Sequence, residues 1–131
     1  MSLGDSATEL GKVEGIGSAR RGGEDWIAER LSSVALLLLG TWFLASLLFL
    51  PKLDLETVTE WLHGAGGAVP MALFVIVAFW HAVDGLKVVV DDYVSGEGNR
   101  WAWNTLILFL AVGGASLCLF ALGRIAFGAA S

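Results

Sequence analysis

One stretch of the chain, W-H-A-V-D-G-L-K-V-V-V-D-D-Y-V over residues 80–94, holds the side chains best equipped for chemistry: His81, Asp92 and Tyr93. Imidazole is a common metal ligand and a proton carrier near neutral pH. A phenol donates a hydrogen bond and stacks on flat rings, and a carboxylate beside it can relay or order a proton. His81 stands inside a run that is otherwise largely apolar. An ionisable group there is costly, which makes it a functional-site hypothesis by default.

A helix is the element that would align these groups. At about 100° per residue, Gly85 falls about 40° from His81, Val88 about −20° and Asp92 about 20°. Asp92 is then about 16 Å further along the axis, so a deep imidazole and an interfacial carboxylate face the same neighbour. Gly85, one turn on, leaves room for a flat ligand against the backbone. Haem has these requirements, and neutral imidazole is a frequent axial ligand of its iron. The chain has no second histidine within an apolar run, so another ligand would come from a different subunit. The spacing fits a buried histidine hydrogen-bonded to a neighbouring helix equally well. Tyr93 also suits two roles, a donor to a quinone carbonyl oxygen or a tyrosine of the interfacial belt. Asp84–Lys87 and Lys87–Asp91 have the spacing of intrahelical ion pairs, and Lys87 can snorkel inward, which favours structural roles over a proton path.

Composition determines the solvent of these helices. Of 131 residues, 56% are hydrophobic and 16% charged, with mean hydropathy +0.71. Soluble domains run nearer to one quarter charged. The apolar residues are blocked into three runs, with spans expected at about 31–50, 69–92 and 103–124. Each is long enough to cross about 30 Å of hydrocarbon. The reading is an all-α, integral membrane protein with three transmembrane helices, too short in its connections for a water-soluble catalytic domain. Mostly polar residues precede the first run and no A-x-A site follows it, so this span is expected to be retained rather than cleaved as a signal.

Cationic residues orient the chain. Lys12, Arg20, Arg21 and Arg30 precede the first span and Arg100 lies between the second and third, against Lys52 and Arg124 on the other side. The N-terminus is therefore expected in the cytoplasm. A net charge of −5 and a pI near 4.8 give no basic stripe for nucleic acid.

The rest of the chain reads as support. Residues 1–23 are a glycine-rich polar arm expected to be flexible, and 24–127 the transmembrane domain, with Trp26 anchoring at headgroup depth. Pro51 ends the first helix. Asp54 is suited to cap a short interfacial helix carrying Leu55, Val58 and Trp61 or Leu62. His63 reads as a solvated histidine in a glycine-rich turn, and Gly96, Gly98 and Asn99 as the inner turn before Trp101 and Trp103. Ala111, Gly114, Ala115 and Cys118 form a stripe of small residues for close helix packing, with no cofactor role expected for the third helix.

Two segments carry a family resemblance. Gly17-Ser18-Ala19-Arg20, followed by Asp25-Trp26 and Arg30-Leu31, resembles the G-S-A-R, D-W and Q-R-x-T-A run before the first helix of the smaller hydrophobic membrane anchor of succinate dehydrogenase, the respiratory complex II of bacteria. The run from His81 to Tyr93 resembles that family's H-A-x-x-G-L-x-V-V-x-x-D-Y, and is the more specific of the two. Glu29 stands where the family often has Gln, Ser32-Ser33 where it often has Thr-Ala, and Asp84 where it usually has an apolar or neutral residue.

The resemblance implies a non-autonomous subunit of succinate:quinone oxidoreductase in the bacterial inner membrane. Its partners would be a flavoprotein subunit, an iron-sulfur subunit and a larger hydrophobic anchor subunit of cytochrome b556 type. The helices would pack with that second anchor chain around haem b, shared between the two, with ubiquinone as substrate. His81 would be the haem ligand from this chain, Arg30 a partner of the haem propionates, Tyr93 the hydrogen-bond partner of quinone, and Asp92 its neighbour in proton handling. Two other readings stand beside this one, a structural anchor without cofactor and a small proton or ion transporter subunit using Asp84, Lys87 and Asp91.

Overall fold

The computed structural model describes residues 21–128, with side chains from Trp26 onward. Most of the expected arm lies outside the described residues. Four helices follow in order: α1 (Arg21–Phe49), α2 (Leu55–His63), α3 (Ala65–Tyr93) and α4 (Glu97–Phe127). Three of them are long and apolar enough to cross a membrane, with spans Trp26–Phe49, Ala65–Tyr93 and Glu97–Phe127. The described residues are thus all helical apart from their connections, as the blocked apolar pattern requires.

Helix ends differ from the expected bounds in ways that local chemistry explains. The helix of the first span is already formed at Arg21, ahead of Glu24. At its other end Leu50 N–H still donates to the Ser46 carbonyl at 3.1 Å before Pro51, which has no N–H to continue the ladder. Asp54 caps α2 as expected: its backbone is extended and its carboxylate accepts from Thr57 N–H at 2.9 Å. Hydrogen bonds from the Thr57 side chain and then its backbone hold this carboxyl below its ordinary value.

The glycine-rich connection after His63 is shorter than a turn-rich reading suggests. Gly64 alone is extended, serving as C-cap of α2 and N-cap of α3, and Gly66 and Gly67 are already helical. Gly67 is required there, because a Cβ would collide with the Trp61 carbonyl oxygen. Likewise α4 begins at Glu97, so Gly98 and Asn99 belong to the helix and Gly96, with φ of 89°, makes the turn. Arg100 fastens that hairpin by donating from Nε to the Val94 carbonyl at 2.7 Å. Pro70 lies inside α3, where its missing N–H removes the ladder bond that the Gly66 carbonyl would otherwise accept.

Helix α3 packs along α4, and α2 touches both. The contact between α3 and α4 depends on small residues, with Gly114 lying under the Phe79 ring. Within Ser32–Ser131, one of two compact units of the chain, α1 reaches α3 through stacked Phe43 and Phe74 rings, 5.4 Å apart, and reaches α2 through Trp42 and Trp61. These contacts bury little. In the most apolar windows of the three spans only 6%, 11% and 6% of residues are buried within the chain. Apolar side chains such as Leu37, Leu48, Phe109 and Phe120 are exposed, a distribution that suits lipid or partner helices as surroundings.

Candidate functional site

Helix α3 is continuous through His81, Gly85, Asp92 and Tyr93, so the stripe drawn from the sequence exists as one face of one helix. His81 is half-buried. Its Nδ1 lies 3.2 Å from the Ser32 hydroxyl on α1, and its Nε2 makes no hydrogen bond among the described residues. The imidazole is therefore tied at one nitrogen and available at the other. A Cβ on Gly85 would meet nothing within 4 Å, so the face beside the ring is open where a flat group needs room. Among the described residues no set of three His, Cys, Asp or Glu side chains is grouped to hold a bare metal ion. A metal on His81 must bring or find its other ligands elsewhere.

Asp92 and Tyr93 form the last turn of α3 and are exposed, Tyr93 at 84%. Neither makes a hydrogen bond or ion pair among the described residues. Both are thus at the end of the helix and outward-facing, as an interfacial site for a flat polar-tipped molecule needs. The structure does not bring them to His81, which is about 16–18 Å away along the axis.

Arg30 lies in the other compact unit, Met1–Leu31. Its guanidinium sits over the Trp26 ring, 4.9 Å from the centroid, and the residue is exposed. That cation–π contact holds the charge beside the anchoring indole.

The charged groups within α3 depart from expectation. Neither Asp84–Lys87 nor Lys87–Asp91 forms an ion pair among the described residues. Asp84 and Lys87 instead line a groove of about 310 Å³ between α3 and α4, with Trp80, Val83, Ala111 and Ala115. Their direction follows from helical phase, which turns them away from His81 toward α4.

Other corrections concern single residues. Cys118, expected to pack between helices, is exposed. His63 is not merely solvated: its Nε2 donates to the Gly128 carbonyl at 2.8 Å, joining α2 to the end of α4. Two polar groups escaped the sequence reading. Ser32 is the buried polar side chain of the described residues, 3% exposed, and Asn104 Oδ1 is sealed without a hydrogen bond. Serine and asparagine in apolar helices carry no periodic signal of burial, and only the ionisable ring of His81 within an apolar run pointed toward a polar neighbour.

The profile of the family described as succinate dehydrogenase/fumarate reductase transmembrane subunit matches residues 5–121. The chain belongs to that family. Its relatives include the succinate dehydrogenase hydrophobic membrane anchor subunit of Paracoccus denitrificans, 33% identical over 120 residues, covering 89% of this chain and 90% of that protein. The anchor subunit of the same name from Rickettsia bellii is 31% identical over 104 residues, 79% of this chain and 81% of its own length. That of Coxiella burnetii is 29% identical over 100 residues, 73% and 84% of the two chains. Family membership and three apolar helices make this a multi-pass protein of the bacterial inner-membrane type. The alignment spans α1, α2 and α3 completely and most of α4, so the segment from His81 to Tyr93 falls within the matched region.

Proposed function

We propose that this chain, a membrane-anchor subunit of the succinate dehydrogenase type, holds one side of a haem b and forms part of a quinone site. It contributes to succinate:quinone oxidoreductase as a non-autonomous subunit, tethering the flavoprotein and iron-sulfur subunits beside a larger anchor chain. The observation that carries this reading is His81: deep in a span, tied at Nδ1, without a hydrogen bond at Nε2 among the described residues, and bordered by open backbone at Gly85.

The residues present fit haem. Neutral imidazole offers one nitrogen to iron, and the other needs an anchoring partner. Both conditions hold at His81. Bound haem would supply one-electron transfer within the membrane, with its other axial ligand from the larger anchor subunit. Arg30, carrying a permanent charge beside Trp26, is the group of this chain suited to pair with a propionate.

Tyr93 presents its phenol at the end of α3, where it donates to a quinone carbonyl oxygen and orients the ring. Asp92 adjoins it and stands on the His81 stripe, placed to order or pass the proton that reduction of quinone consumes. The distribution of cationic residues supports a cytoplasmic position for this end of α3, the side from which electrons of a water-soluble partner would enter.

The test is a dithionite-reduced minus oxidised visible spectrum of the membrane complex with wild-type chain and with His81→Ala. A b-type signal lost or altered in the variant is the expected result. An identical signal in both moves the ligand elsewhere, and no signal in wild type leaves a haem-free anchor.

A further inference from the structure

We infer that Ser32 is the positioning residue for His81, selecting the imidazole tautomer that can bind metal and setting how strongly that ligand donates. This rests on the haem reading above and adds to it a residue on a different helix.

Ser32 is out of character with its surroundings. Helix α1 exposes Leu31, Ser33 and Val34, yet Ser32 among them is 3% exposed. Its hydroxyl is 3.2 Å from His81 Nδ1 across 49 residues of sequence. A buried hydroxyl in an apolar span costs free energy unless it is bonded. Its burial against an ionisable ring therefore ties two spans together through one polar contact.

The donor inventory allows this bond to run either way, and we infer the direction in which Nδ1 donates. Neutral imidazole has one N–H and one lone-pair nitrogen, whereas a hydroxyl has one proton and two lone pairs. Ser32 also has an interaction beyond the one with His81. A serine within a helix commonly gives its hydroxyl proton to a carbonyl one turn back, which leaves its oxygen as an acceptor. Nδ1 is then the donor and carries the ring proton. Nε2 is the bare nitrogen, on the ring edge that makes no hydrogen bond among the described residues. The reverse tautomer would place a proton on Nε2 and forbid ligation there.

A hydrogen bond accepted from Nδ1–H also raises the basicity of the opposite nitrogen. A more basic ligand favours ferric over ferrous iron. Loss of the hydroxyl should therefore weaken that preference by about tenfold, the low end for outer partners of a metal ligand because hydroxyl is neutral. For a one-electron couple this is a rise in reduction potential of about 59 mV.

The experiment is a redox titration of the purified complex, followed by haem absorption, with wild type, Ser32→Ala and Ser32→Thr. Threonine keeps the hydroxyl. The expected result is haem in all three, a raised potential in Ser32→Ala, and a potential within measurement error of wild type in Ser32→Thr. Loss of haem from Ser32→Ala with retention in Ser32→Thr also supports the role. Haem at unchanged potential in Ser32→Ala overturns it while leaving His81 as ligand, and so does equal loss from both variants of an assembled complex. A wild-type complex without haem overturns this inference and the haem reading together.

Discussion

The ring of Phe79 on α3 lies so close to Gly114 on α4 that a Cβ at that position would stand 2.8 Å from the ring edge. The neighbouring glycine, Gly113, would meet nothing within 4 Å if given a Cβ. The pair distinguishes a glycine that lets two spans approach from one that faces outward. Gly114→Leu should cost about 1–3 kcal/mol through overpacking, read as a lower thermal midpoint of the purified complex. Gly113→Leu should be nearly neutral, and equal losses at both positions would contradict the packing seen between α3 and α4.

Tyr93→Phe removes the one hydroxyl of an exposed ring without changing the shape of α3. Quinone reduction should fall by about tenfold or more, the loss of one buried hydrogen bond to substrate, while succinate oxidation by a water-soluble dye continues. Equal loss of both activities would place the defect in assembly.

Asp92→Asn keeps the size and polarity of the side chain and removes its ability to accept and release a proton. The pH profile of quinone reduction should change shape, with dye-linked succinate oxidation as the reference. Superimposable profiles would take Asp92 out of proton transfer.

His63→Ala deletes the bond from Nε2 to the Gly128 carbonyl that holds α2 against the end of α4. The cost should be at most about 1 kcal/mol, since the contact is exposed. Hydrogen exchange should quicken at the amides near Gly128 and in the last turn of α2, with the His81 region unaffected. Uniform quickening along the chain would show that His63 supports more than this corner.

At the start of α2, the carboxyl of Asp54 is lowered by its bonds from Thr57. A carboxyl held below its unfolded value stabilises the helix at pH above that value, and the contribution disappears as pH falls through the lowered one. The amide of Thr57 should thus stay protected from exchange near neutral pH and lose protection in acid below the ordinary carboxylate range, around pH 3–4. Asp54→Ala should show the acid behaviour already at pH 7, and a pH-independent amide would mean the cap is not formed.

Much of the architecture was open to reading because lipid simplifies the code. Three blocks of apolar residues, each closed by Pro51, glycine or a charged cluster, have few alternatives to spanning helices. The His81–Gly85–Asp92 stripe was equally open, since α3 is one unbroken helix over that length and about 100° per residue holds within it. Where the reading went astray, tertiary partners decided. His63 found a carbonyl far along the chain, and Asp84 and Lys87 found a groove beside α4 instead of one another. Cys118 faces outward although its spacing matches Ala111 and Gly114, because a stripe of small residues does not say which neighbour it meets.

The sequence by itself therefore determined the class of the protein, the number of its spans and the face of the helix on which His81, Gly85 and Asp92 stand. These follow from short-range rules of period, length and solvent, which need no knowledge of other helices. Only the tertiary structure decided that Ser32 is a polar partner of His81, and that the contact is made at Nδ1. The physical reason is distance along the chain: with 49 residues between them, no local pattern pairs a serine on one span with a histidine on another. Packing of the helices alone brings them within hydrogen-bond reach.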